Sequence, residues 1–272
     1  MTIKLVTNQK IAETSSKGNQ EKWFDEKSNR WHKLDLFGYE ALAETIVSAL
    51  LKKCNVIEKG FEIAEYQMEK LEVRKHQRVG CSSENFLKDG EELITIAHLL
   101  KKGVGTNYLK ELEKQKNLQK KIAYIVDHVE RLTGLEQFGE YLTLLFEADM
   151  LFLNDDRHLN NIAVIRKEDS FRYCPLFDFG AGLLSNTREH PLDVTPSGLI
   201  RNVVARPFNC GFTRQVHAAE ALYGKQLEWS FTEMDIAAVF LEIEQYYPLV
   251  YAIEFRERVE TCIKIQKKKL LK

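Results

Sequence analysis

The sequence predicts an α+β protein of two lobes, a small mixed β/α lobe over residues 1–105 and a mainly helical lobe over 106–272. Three observations predict it. Strand-like segments fill the first hundred residues around a single embedded stretch of helical spacing. From about Asn107 the apolar residues recur at the helical period. The helical part is then interrupted by a polar loop, Asp156-Arg157-His158-Leu159-Asn160-Asn161, and by an apolar strand that ends in Asp178-Phe179-Gly180.

Residues 3–6 are β-rich, and 14–20 form a polar turn cluster. Residues 21–24 and 30–34 read as short strands about a second turn at 25–29. Residues 39–53 switch to helical spacing, with Leu42, Ile46, Ala49 and Leu50 on one face, and 61–73 and 78–86 return to a strand texture. Ile122, Ile125, Val126, Val129 and Leu132 mark a helix that stops near Gly134. Leu135, Phe138, Leu142 and Leu145 begin another, which runs toward the Asp156 loop. Residues 162–165 and 171–177 make a hairpin around 167–170. A polar stretch with Pro191, Pro196 and Pro207 follows, then helices near 213–223 and 233–246, the second with Ser230 and Glu233 at capping-box spacing. The basic tail, 263–272, reads as a solvated helix end with cations at its negative pole.

The composition is ordinary for a globular chain: 44% hydrophobic and 29% charged residues. Thirty-nine basic against 40 acidic side chains leave a formal charge of −1, so overall electrostatics give no reason to expect nucleic acid or an anionic membrane as partner. Five scattered cysteines without a C-x-x-C pair point to reduced thiols, not to a disulfide framework or a zinc site. No apolar run follows Met1, and the stretch 141–153 is broken by Glu147 and Asp149 and too short to span a bilayer. A cytoplasmic protein is expected.

The two interrupting segments carry the chemistry. An Asp followed five residues on by Asn sets a carboxylate and an oxygen ligand on one loop, and the Asp of a later Asp-Phe-Gly adds a second ligand. Phosphoryl transfer needs that set, because its catalysis is mostly positioning and charge neutralisation. Asp156 would be the catalytic acid that orients the attacking hydroxyl, Arg157 and His158 would brace the loop, and Asn161 and Asp178 would hold magnesium. Lys33, in the strand Trp31-His32-Lys33-Leu34, is the candidate for the phosphates of ATP, with Lys22 as its rival. Glu40 and Glu44, four apart on one helix face, can each reach Lys33, and Glu44 is the preferred partner. Ser15, Ser16, Gly18, Asn19 and Gln20 form the candidate phosphate-covering turn, whose backbone N–H groups can meet phosphate oxygens.

The set Ser15-x-x-Gly18-Asn19-Gln20-Glu21-Lys22, Asp156-Arg157-His158-x-x-Asn161 and Phe177-Asp178-Phe179-Gly180 resembles the HipA-like serine/threonine kinases of bacteria. Residues 209–224 resemble a later helix of that family. The resemblance implies a two-lobed protein-kinase-like fold, ATP with magnesium, and a protein substrate phosphorylated on Ser or Thr. Through the family's toxin branch it also implies an antitoxin-like partner. By motif Asp156 carries over as catalytic, Asn161 and Asp178 as metal ligands, and Gly18 to Lys22 as the phosphate loop. With 14 residues ahead of Ser15, the chain resembles the compact members. Toxin-branch kinases autophosphorylate a serine of the phosphate loop; Ser15 matches it, with Ser16 beside it. Phosphoinositide kinases share the Asp-Arg-His-x-x-Asn and Asp-Phe-Gly segments, so a lipid or small-molecule acceptor on the same scaffold stays open, as does a non-catalytic binding module.

Overall fold

The computed structural model describes residues 21–73 and 75–271. The strand expected at 3–6 and the phosphate-loop residues Ser15, Ser16, Gly18, Asn19 and Gln20 lie outside the described residues. Strands β1 (Lys22–Asp25), β2 (Arg30–Leu34), β3 (Tyr66–Val73) and β4 (His76–Glu84) form an antiparallel sheet in the order β1-β2-β4-β3. Helix α1 (Glu40–Leu51) covers one face. Two-residue alternation assigns side chains to faces. Lys33, Cys81 and Met68 lie opposite one another on adjacent strands, and Cys81 and Met68 join the apolar core that contains α1. On the other face Trp23, Leu34, Leu71 and Val73 make a separate cluster.

A second antiparallel sheet, in the order β5-β6-β7, joins β5 (Glu92–Thr95) to the hairpin of β6 (Ala163–Lys167) and β7 (Ser170–Tyr173). Helix α2 (Ile96–Gly103) follows β5 directly and packs on α4 (Leu118–Thr133), so residues 92–103 associate with the helical elements. The hairpin is shorter than the sequence suggests. β7 ends at Tyr173, and Leu176 pairs in parallel with Ile63, while residues 61–65 stay outside β3.

The helical part comprises α3 (Tyr108–Glu113), α4, α5 (Phe138–Phe152), α6 (Pro196–Leu199), α7 (Phe212–Tyr223), α8 (Glu233–Ile243) and α9 (Leu249–Leu270). Gly134 ends α4 at φ 74°, the left-handed conformation its sequence promised. The cap of α8 differs from expectation. Thr232 and Asp235 make the capping box, because the Ser230 hydroxyl is spent on the Lys53 carbonyl at 2.9 Å.

Helix α5 is the axis of the molecule. All of its residues except Glu140 are buried, including Phe138, Tyr141, Phe146 and Phe152. Each such side chain contributes roughly 1.5–3 kcal/mol by leaving water. One apolar cluster runs from α1 through α5 to α9 and binds the two lobes into a single core. No helix among the described residues is long and apolar enough to cross a membrane.

Candidate active site

Burying α5 on nearly every side forces its two buried acids, Glu147 and Asp149, to find partners, and one of them builds the site. Asp149 is fully buried and accepts hydrogen bonds from Arg157 Nε and Nη2 at 3.0 Å each and from Asn154 Nδ2 at 2.7 Å. Buried charges survive when paired and hydrogen-bonded. Arg157, itself 1% exposed, donates from Nη1 to the Asn161 carbonyl at 3.0 Å and the Phe177 carbonyl at 2.6 Å, and its guanidinium lies over the Phe179 ring. One side chain thereby ties the loop of residues 156–161 to the segment that carries Asp178. Asn154 adds a bond of 3.3 Å to the Asp178 carbonyl.

On the opposite wall the register of β1 with β2 sets Lys22 across from Lys33, two cations on the face that looks toward Asp178. A one-residue slip of β1 would turn Lys22 to the other face. Lys33 Nζ donates to the Glu44 carboxylate and, at 2.8 Å, to Asp178 Oδ1. The other Glu44 oxygen accepts the Phe179 backbone N–H at 2.8 Å. Glu44, not Glu40, is therefore the helix acid that meets Lys33. The Glu40 carboxylate accepts backbone N–H groups of Leu36, Phe37 and Gly38 and steadies the turn into α1.

Burial disfavours the Lys33 ammonium, but Asp178 and Glu44 outweigh it and hold the group well above the usual lysine range. Burial likewise opposes ionisation of Asp178, yet Lys33 and Lys22 keep its carboxyl well below the usual carboxylate range. Lys33 and Asp178 are thus both favoured in their charged forms, whereas burial raises the Glu44 carboxyl against the lowering effect of Lys33. Burial raises Asp156 as well, against the lowering effects of His158 and Arg206.

Lys22, Lys33, Asn154, Asp156, His158, Asn161 and Asp178 all line one cleft of about 980 Å³. Asn161 donates Nδ2 to the Asp156 carbonyl at 3.0 Å, which fixes its amide and leaves Oδ1 as the atom available to a cation. Among the described residues no group of three or more His, Cys, Asp or Glu side chains could hold a metal alone. The donors present, one amide and one carboxylate oxygen, fit a hard cation that completes its shell with water and phosphate. His158 places Nε2 4.0 Å from Asp156 Oδ2, and its buried Nδ1 has no hydrogen-bond partner among the described residues.

Backbone strain gathers around this cleft. Leu153, Asp178, Leu183 and Leu184 all have φ between 54° and 65°, a conformation that bulky side chains avoid. Such residues persist only where the surroundings over-determine them, typically at functional sites. Gly38 is needed for a related reason. The turn before α1 forms a bridge with Asn186, and a Cβ on Gly38 would sit 1.9 Å from the Ser185 carbonyl oxygen.

Sequence reasoning missed Asp149, Asn154 and Arg206. The first had a legible signal, an acid inside a run of core residues. Arg206, whose Nη1 lies 2.9 Å from Asp156 Oδ1, comes from a loop with no motif of its own.

This architecture, a small sheet lobe with one helix above a helical lobe, is the kinase-like fold. Over 95% of this chain and 93% of that chain it is similar to the proinflammatory kinase CtkA of Helicobacter pylori, with a TM-score of 0.61 at 14% identity. A looser likeness, TM-score 0.49 at 11% identity over 92% of this chain and 64% of that chain, links it to a Shewanella oneidensis MR-1 toxin–antitoxin structure of HipA with HipB and operator DNA. No protein-family model and no curated protein sequence matches the chain.

Proposed function

We propose that this protein is an ATP-dependent serine/threonine kinase of the HipA-like type, which transfers the γ-phosphate of ATP to a protein hydroxyl. The observation that carries the reading is Lys33, held between Glu44 of α1 and Asp178 while Asp156 and Asn161 line the same cleft. A strand lysine paired with a helix glutamate and set against a metal-binding Asp is the arrangement protein kinases use to hold ATP phosphates. The nucleotide would lie between the small lobe, whose sheet ends with β4 at Glu84, and the helical lobe with which β5 and α2 associate.

In this reading Asp156 orients the acceptor hydroxyl and takes its proton as the O–P bond forms, and ADP departs with the electron pair of the broken β–γ bridge. Lys33 and Lys22 draw negative charge from the phosphates. Asn161 and Asp178 would hold magnesium, which supplies charge neutralisation on the transferring group. The phosphate-loop residues Ser15 and Ser16 are proposed sites of autophosphorylation. A phosphate there would repel the nucleotide and switch the enzyme off.

Labelled ATP offered with magnesium to the protein and to cell lysate tests the proposal, with intact-mass measurement of the chain itself. Asp178→Ala should abolish magnesium-dependent nucleotide binding. Asp156→Ala should bind nucleotide as wild type does and lose transfer by at least about 100-fold. An Asp156→Ala protein that transfers at the wild-type rate removes the basis of the assignment.

A further inference from the structure

We propose that Arg206 is a positioning residue for the Asp156 carboxylate, delivered to the cleft by a braced hairpin 50 residues along the chain. The inference rests on the kinase reading for the identity of the reacting hydroxyl. Its geometry stands independently. Ala205 and Cys210 exchange two backbone hydrogen bonds, of 2.7 and 3.2 Å, and close a tight hairpin with Asn209 at φ 51°. Gln215 of α7, 1% exposed, donates Nε2 to the Arg206 carbonyl at 2.9 Å and fastens the hairpin to the helical core. The backbone that carries the guanidinium is therefore fixed before any ligand arrives.

Asp156 needs such a partner. Its side chain is 42% exposed on a loop, and among the described residues Arg206 makes the one hydrogen bond to its carboxylate. His158 Nε2 stands 4.0 Å from Oδ2, beyond hydrogen-bond distance. With Oδ1 engaged by Arg206, Oδ2 is the oxygen presented to an acceptor. Arg206 itself lines the same cleft as Asp156. Loss of the bond frees a two-torsion side chain at the point where reacting atoms must meet, and misplacement by an ångström is worth on the order of 100-fold in rate. An ion pair this exposed adds little to stability, so the fold should outlast its removal.

The test uses the full chain and measures ATP-dependent transfer beside the arginine side-chain resonances. Arg206→Ala should lower kcat by about 10- to 100-fold with the KM for ATP within about twofold of wild type. Arg206→Lys should fall between, because an ammonium keeps the charge without the planar fork. Guanidinium ion should restore part of the Arg206→Ala rate and none of that of the Asp156→Ala, Arg206→Ala protein. The Arg206 guanidinium resonances, identified by their absence in Arg206→Lys, should shift in Asp156→Ala without any nucleotide present. Resonances that do not move, or a kcat in Arg206→Ala within about twofold of wild type, overturn the assignment. If the wild-type chain transfers no phosphate, the kinase reading fails, and the resonance measurement alone decides the pairing of Arg206 with Asp156.

Discussion

Asp149 and Arg157 show what a single buried pair can organise. The sequence offered Arg157 as a brace of the Asp156 loop, and its motif position alone made that legible. Its partner was visible only as an acid interrupting the apolar run of α5. Local spacing cannot say that this acid points at the loop, because the bond of 3.0 Å is made across a helix end and a change of chain direction. Both side chains are fully buried, so removing one leaves the other as an uncompensated charge. Arg157→Ala should destabilise the protein by about 3–5 kcal/mol in urea unfolding. Removing both, in Asp149→Ala with Arg157→Ala, should recover part of that loss. A single variant within about 1 kcal/mol of wild type would show that the pair adds no stability and leave it only an orienting role.

At the scale of elements, α1 matters most, since it carries Glu44 to Lys33. Its apolar face could be read from the sequence; its anchoring could not. No side chain of the N-cap residue, Tyr39, caps it. Asp35 does so from outside the helix, accepting the Ala41 N–H at 2.6 Å and, on its other oxygen, the Tyr247 hydroxyl at 2.6 Å. Tyr247 lies just before α9, so this carboxyl joins the small lobe to the last helix. Burial pushes it up to about 7, against the lowering effect of its hydrogen bonds. A raised carboxyl keeps a proton in the folded chain that the unfolded chain has released, so stability falls as pH climbs from about 4 toward 7 and levels off above. The full span is on the order of 4 kcal/mol. Glu147, pushed to about 8 by burial, adds a loss of the same sign over a slightly higher range. Denaturation midpoints measured from pH 5 to pH 8 should therefore decline in the wild type. Asp35→Asn, neutral throughout, should remove the Asp35 share of the decline between pH 5 and about 7 and keep the slope due to Glu147, which runs on to about pH 8. An Asp35→Asn protein with the full wild-type slope would assign the titration to other groups.

For the molecule as a whole, the order of the lobes and the β6–β7 hairpin were legible because each is written in local spacing. The pairing of β5 with β6 was not. β5 has four residues, its partner lies about 70 positions away, and no local period encodes such a contact. The role of α9 was hidden for the same reason. Only its basic end was visible, yet Arg258, 4% exposed, donates to the carbonyls of His190 at 2.7 Å, Pro191 at 2.6 Å and Val194 at 3.2 Å. Those carbonyls belong to the segment that follows Asp178-Phe179-Gly180 and reaches the cleft at Glu189 and His190. If α9 is a clamp on this wall, Arg258→Ala should release it locally. The amides of His190, Val194 and Gly198, bonded within 186–198, should lose protection against hydrogen exchange, while those pairing β2 with β4 keep theirs. Each charge-assisted bond is worth roughly 1.5–3 kcal/mol, so local exchange should quicken by at least about tenfold. Uniform acceleration over the whole chain would instead mean that Arg258 holds the global core, and that the wall of the cleft opens only when everything unfolds.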